Sequence, residues 1–193
     1  MLTLYEPKYE DLWFRQMMLA DEDNMSYNHA WGGTIPWPED KWSGWYDYWI
    51  ACHEGKRYYR YLKNEDGQFV GEIAYHYDAE TQHEIADVII YSKYRRKGYG
   101  SEALDLLCWV VKNNGISVLY DDIAIDNHAI TLFLKHGFVE EYRTKEKNNS
   151  QEGTVIQIPV CRTDKIHLET KGRTSILSYW EYRASCGASF PVS

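Results

Sequence analysis

The sequence is short of the features that mark special classes of protein. Its 193 residues hold four cysteines, at 52, 108, 161 and 186, too scattered for a CxxC metal site. A chain of this length builds a core without disulfides, so they read as reduced thiols and no metal is expected. Nowhere do eighteen apolar residues run together, and the opening MLTLYEPKYEDLW has no charged leader before an apolar core. A soluble, cytoplasmic protein without a membrane partner is the expectation. Positive charge is scarce: 21 Lys and Arg against 29 Asp and Glu leave a formal net charge of -8. Neutralising phosphates takes a basic face, so nucleic acid is an unsuitable partner and a cation a better one. Two common phosphate loops are missing as well. The pattern GxxxxGK[ST] is absent, and GxGxxG fails because Ala103 stands three residues after Gly100.

What is present is aromatic and acidic. Aromatic residues make up 16% of the chain, with eight Trp and seventeen Tyr, well above ordinary usage. Many of the rings fall between Tyr27 and Trp49, beside Glu39, Asp40 and Asp47. Hydrophobic periodicity predicts a strand over 2–5, a helix over 8–20, a loop over 24–37 and a helix from Pro38 to Gly55. A hairpin follows over 58–77 around Asp66-Gly67, and then a β-branched strand over 84–91. The remaining pattern is a helix over 101–114, a strand over 118–125, a helix over 127–136 closed by Gly137, and a hairpin of 138–144 with 154–160. One domain over 1–160 with a C-terminal extension over 161–193 accounts for the length.

The chemistry concentrates where the β-branched strand turns into the next helix. Arg95-Arg96-Lys97-Gly98-Tyr99-Gly100-Ser101 combines local positive charge, two glycines that let backbone approach a ligand, and the N-H groups of a helix start. Taken alone, a GxG beside basic residues also describes a solvated strand-to-helix turn. A second segment, Asn127-His128-Ala129-Ile130-Thr131-Leu132-Phe133-Leu134-Lys135-His136-Gly137-Phe138, lies about thirty residues on, with a helix and a strand between.

Together these two segments resemble the GNAT acetyltransferases: [QR]xxGx[GA] after a central strand, then Asn-x-x-Ala on a helix ending in Gly-Phe. The resemblance spans about residues 1–160 and is tightest over 84–138. It implies an α/β fold with a mixed, mostly antiparallel sheet flanked by helices and splayed at the central strand. It implies an N-acetyltransferase that moves an acetyl group from acetyl-CoA, as co-substrate, to a primary amine by direct attack. In that reading the backbone of Val88, Ile89 and Ile90 pairs with the pantetheine arm, residues Arg95, Arg96, Lys97, Gly98, Tyr99, Gly100 and Ser101 hold the pyrophosphate, and Asn127 and Phe133 border the arm. The partner is a small-molecule or peptide amine, and a homodimer is compatible with it.

Glu84, eleven residues before Arg95, sits where histone-type members carry their catalytic Glu, and is the expected general base; a strand-end carboxylate in water is the plainer role. Asp87, on the opposite strand face, and His76 or His83 are weaker candidates. Phe133 departs from the family, which often has there a Tyr that protonates the leaving thiolate; a phenyl ring has no proton to give. That departure keeps open an acyl-CoA-binding sensor without turnover, and an interaction protein with an aromatic surface is a third alternative. Rings and carboxylates suit a cationic acceptor. Trp42, Trp45 and Trp49 recur at helical spacing and read as core, whereas Tyr27, Trp31 and Trp37, around Gly32-Gly33 and between prolines, are the expected acceptor pocket.

Overall fold

A computed structural model describes residues 1–53, 55–124 and 126–140, except the side chains at 30 and 31, and the backbone of 144–147 and 154–163. The elements in order are β1 (Thr3–Tyr5), α1 (Trp13–Ala20), α2 (Trp42–Tyr46), β2 (Arg57–Lys63), β3 (Phe69–Asp78), β4 (His83–Ile90), α3 (Tyr99–Asn113), β5 (Val118–Ala124), α4 (Ala129–Lys135), β6 (Val139–Glu140), β7 (Thr144–Lys147) and β8 (Thr154–Thr163). They form an eight-stranded sheet in the order β1-β2-β3-β4-β5-β8-β6, with β7 also on β8. Every pairing is antiparallel except β4 with β5. This is the mixed, mostly antiparallel sheet that the sequence led us to expect. The strand β8 continues three residues past the expected boundary at 160, and residues 164–193 lie outside the described residues.

Three helical stretches differ from their sequence expectations. Asn24–Trp31, expected as loop, is a 3-10 helix that Gly32 ends in the left-handed region, at φ 105°. Asn24 is fully buried there and donates through its side chain to the Met18 carbonyl at 2.9 Å. Such side-chain support for a tight turn has no periodic signature in sequence. The expected helix from Pro38 is broken into a 3-10 turn, the five residues of α2 and a π-turn over Asp47–Ala51. The π-turn puts Trp42, Trp45 and Trp49 all inward, at 8%, 6% and 3% exposure. Finally, α3 starts two residues before Ser101, with Gly98 as its N-cap.

The sheet separates two apolar layers. On one face α3 and α4 cover Ile73, Ala86, Leu119 and Ile123 with Leu104, Leu107 and Phe133. On the other, α1 and the tryptophans of α2 and the π-turn cover Tyr59, Tyr61, Ala74 and Ile89. The alternation of side chains along β4 decides the layer: Ala86, Val88 and Ile90 go to the α3 face, and Ile89 goes to the aromatic face. Flat rings are thus mostly a packing material. Trp45 meets Tyr59 edge-on at 4.7 Å, and Phe14 meets Tyr61 at 5.1 Å.

Inside the aromatic layer lies a buried ion pair. Arg15, 2% exposed, donates to the Glu72 carboxylate and, at 3.2 Å, to the Tyr59 hydroxyl, which in turn donates to Glu72. The Trp45 ring lies 4.9 Å from the guanidinium carbon. Burial pulls the guanidinium pKa down, but the facing Glu72 carboxylate outweighs it and holds the pKa above the ordinary value.

Gly71 of β3 lies opposite Ile90 of β4, where a Cβ would run into the Ile89 carbonyl oxygen. A Gly71→Ala variant is therefore expected to lose about 2 kcal/mol of stability or more, the upper range for overpacking against backbone, in urea unfolding. Stability equal to the parent's would show that β3 and β4 are not packed this tightly.

Candidate active site

Because β4 and β5 are parallel, their pairing has no hairpin to hold it, and they touch in register only at Ile85 and Tyr120. Just before that point the His83 and Tyr120 rings stack at 3.7 Å with 6° between planes, which fastens the closed end. Beyond it the strands part. Among the described residues the β4 edge from Ala86 to Ile90 then has no strand partner on that side, while β5 pairs with β8 on its other side. An unpaired edge in a sheet interior needs a partner, and an extended amide chain supplies one. A cleft of about 610 Å3 opens between the strands, and Val88, Ile89 and Ile90 line it.

The basic turn closes the open end. Arg96 and Gly98 both lie in the left-handed region, at φ 61° and 86°, so the chain reverses tightly into α3. Gly98, Gly100, Ser101 and Arg96 line the cleft, together with Asn127 and Phe133. A Cβ on Gly100 would come within 3.0 Å of the Leu132 side chain, so this glycine lets α3 and α4 approach closely. The Ser101 hydroxyl contacts His136 Nε2 at 2.7 Å, which ties the same two helices together. Lys97 and Tyr99 are not in the lining; Lys97 lies 5.4 Å from the centre of the Tyr94 ring.

Arg95 also borders the cleft, but its donors are spent on protein. Its Nε donates to the Ile90 carbonyl at 3.0 Å, Nη1 to the Asp23 carbonyl at 3.2 Å and Nη2 to the Asn24 carbonyl at 2.6 Å. Ser92 adds backbone and hydroxyl donations to Asn24 and Asp21. Arg95 thus clamps the start of the 3-10 helix, which carries Tyr27 and His29, to the end of β4. At the mouth, His29 Nε2 lies 3.2 Å from the Asp126 carboxylate, spanning from that helix to the turn before α4.

Carboxyls gather at the vertex where the strands part. Asp87 of β4 and Asp121 and Asp122 of β5 line the cleft one or two residues beyond the Ile85/Tyr120 pair. Burial pushes the Asp87 carboxyl up to about 7, with repulsion from Glu72 adding and Arg15 opposing. Burial, then the charges of Asp87 and Asp122, pushes Asp121 well above the ordinary range. Tyr27 lines the same space, and its buried hydroxyl has no hydrogen-bond partner among the described residues.

The expected base stands elsewhere. Glu84 is not in the cleft lining; it lies on the α3 side, close enough to Tyr75 for its charge to raise that phenol, and Tyr75 accepts a bond from Asn114 at the far end of α3. Six residues of strand, about 20 Å, separate it from Ile90. Burial raises its carboxyl too, and Oε2 is buried without a hydrogen-bond partner among the described residues. His76 packs against Trp49 at 6.0 Å, and His83 is taken up by its stack on Tyr120. Of the expected acceptor pocket, Tyr27 reaches the cleft. Trp37 instead joins Trp42 and Trp45 at 5.8 and 5.5 Å in the aromatic layer, and the side chain of Trp31 lies outside the described residues.

A family model described as "Acetyltransferase (GNAT) family" matches residues 4–138. The chain belongs to the GNAT acetyltransferase family. Solved acetyltransferase structures share its fold. A spermidine N-acetyltransferase from Vibrio cholerae, solved with CoA and spermine, superimposes with a TM-score of 0.70 at 18% identity, over 84% of this chain and 95% of that one. An N-acetyltransferase from Staphylococcus aureus Mu50 gives 0.69 at 16%, over 86% and 99%, and a GNAT-family acetyltransferase from Bacillus anthracis gives 0.66 at 18%, over 84% and 94%. A search of curated proteins returns no match.

As a GNAT protein the chain uses acetyl-CoA as acyl donor, and the cleft fits it: a glycine turn at a helix start for phosphates, and an unpaired strand edge for an amide-bearing arm. Asp121 and Asp122 were missed by the sequence reading. Their signal was two adjacent carboxyls inside a strand otherwise built from Val, Leu, Ile and Ala. For the turn, a Gly98→Val variant forces a β-branched residue to a positive φ and is expected to abolish the melting-temperature rise given by acetyl-CoA. An undiminished rise would remove this turn from the binding site.

Proposed function

We propose that this protein is an N-acetyltransferase that passes the acetyl group of acetyl-CoA to a primary amine by direct attack, with no acyl-enzyme. The observation that carries the reading is Asp87: a carboxyl on the aromatic face of β4, lining the cleft at the vertex and raised to about 7. A base poised near neutral pH is what an ammonium acceptor requires, since the amine attacks only after losing a proton. The acyl donor supplies the activated carbonyl. The protein holds it through the unpaired backbone of Val88, Ile89 and Ile90 and the turn at Gly98, and orients the amine against it.

The base role expected of Glu84 passes in this reading to Asp87. The face it occupies is held by the Arg15–Glu72–Tyr59 cluster behind it, and Tyr27 closes the space from the 3-10 helix. Asp122 and Asp126 add negative charge to the same lining, so a cationic small molecule is the favoured acceptor class. The Vibrio cholerae neighbour, solved with spermine, acts on an amine of that class. The chain's overall charge of -8 points the same way.

A thiol-release assay with an amine panel tests the reading. The parent rate is expected to rise as pH passes through about 7, because Asp87 must be ionised to accept a proton. Asp87→Asn should lower kcat/KM about a hundredfold and remove that limb, while Glu84→Gln keeps it. If the limb instead disappears with Glu84→Gln and persists with Asp87→Asn, the base is Glu84. A parent that binds acetyl-CoA but releases no thiol with any amine is the sensor that Phe133 left open.

A further inference from the structure

A departing sulfur needs a proton, and position 133 cannot give one. Phe133 is 4% exposed and packs edge-on against Phe138 at 4.9 Å. The register of the parting strands shows what else stands there. With Ile85 opposite Tyr120, Asp87 is level with Asp122, and Ala86 is level with Asp121. Side chains alternate, so Asp87 and Asp122 share the aromatic face. Asp121 shares the other face with Leu119, Ile123 and, from α4, Phe133.

Asp121 is 3% exposed, lines the cleft, and its Oδ1 has no hydrogen-bond partner among the described residues. An ionised carboxylate with an unmet oxygen is costly in such a place, so the neutral acid is the form the site favours. Among the other proton carriers of the lining, His29 faces Asp126 at the mouth. Tyr27 packs in the aromatic layer on the acceptor side, and Ser101 and His136 are engaged with each other.

We infer that Asp121 is the proton donor to the departing sulfur, acting on the α4 face of the vertex where a tyrosine at position 133 would act. The inference rests on the acetyl-transfer reading of the cleft. The amine nitrogen bonds to the acyl carbon, and the carbon–sulfur bond breaks with its electron pair on sulfur. An ammonium acceptor first loses one proton to solvent by way of Asp87; the proton that the nitrogen then loses on forming the amide goes to Asp87, and sulfur takes one from Asp121. The protein's proton count is unchanged, and moving one proton from Asp87 to Asp121 resets both. The two facing strand edges thus carry a base on one face of the sheet and an acid on the other.

Difference infrared spectroscopy on the full chain reads the acid directly. The parent is expected to show a protonated-carboxyl carbonyl band at neutral pH, separate from that of the half-protonated Asp87, that Asp121→Asn removes and Asp87→Asn retains. Adding CoA should move the band, and adding desulfo-CoA, which lacks only the sulfur, should not. That ligand comparison uses the parent alone, so it stands even if Asp121→Asn fails to fold. In turnover, Asp121→Asn should lower kcat on the order of tenfold or more with the amine KM little changed. Phe133→Tyr should restore the rate in the Asp121→Asn background. Absence of the band, a band that CoA leaves in place, or parental kcat in Asp121→Asn overturns the inference. A parent inactive on every amine, with a band that still answers to CoA and not to desulfo-CoA, overturns acetyl transfer while retaining Asp121 as the carboxyl that meets sulfur.

Discussion

The parting of β4 from β5 after the single pair Ile85/Tyr120 is the constraint on which the rest depends. Strands in a sheet interior ordinarily satisfy each other's backbone groups, and leaving the Ala86–Ile90 edge unpaired is costly unless something else fills it. The fold carries that cost at one place and offsets it on both sides. Below the vertex, the His83/Tyr120 stack and the β5–β8 ladder keep the strands from separating further. Above it, the turn at Arg96 and Gly98 brings the start of α3 over the opening, and the Arg95 clamp keeps the 3-10 helix in place beside it.

The vertex is also where water is scarce and charge is hard to hold. Three carboxyls stand within two residues of the last strand pair, and among the described residues Arg15 is the cation that favours ionisation of Asp87. Arg15 is itself committed to Glu72 and Tyr59. A buried pair of this kind adds little net stability, because desolvating two ions offsets their attraction. Its consequence here is electrostatic: burial raises the Asp87 carboxyl most, Glu72 pushes it further up and Arg15 draws it back, which leaves it at about 7. The aromatic layer that the sequence advertises so heavily is the low-dielectric wall that makes these effects large.

The legible parts of this protein were local ones. A glycine turn after a β-branched strand is contiguous in the chain, and so is a helix opened by Asn127 and ending in Gly-Phe, so both the family and the glycine turn that borders the cleft could be read without tertiary information. Strand and helix order followed from periodicity. The 3-10 helix at 24–31 did not, because it is held by the Asn24 side chain and the Arg95 clamp from seventy residues away rather than by its own pattern. A position between prolines in a loop suggests a pocket residue at Trp37, but packing draws its ring into the tryptophan layer.

The acid and base positions show the division most clearly. Alternation along β4 determined from sequence that Glu84 and Asp87 lie on opposite faces, and nothing in the chain order says which of them reaches the opening. Only the register between β4 and β5 decides that, since it fixes where the strands stop pairing and hence which residues border the gap. That register joins residues about 35 apart and is set by the packing of two layers, so Asp87 and Asp121 became neighbours through tertiary structure alone.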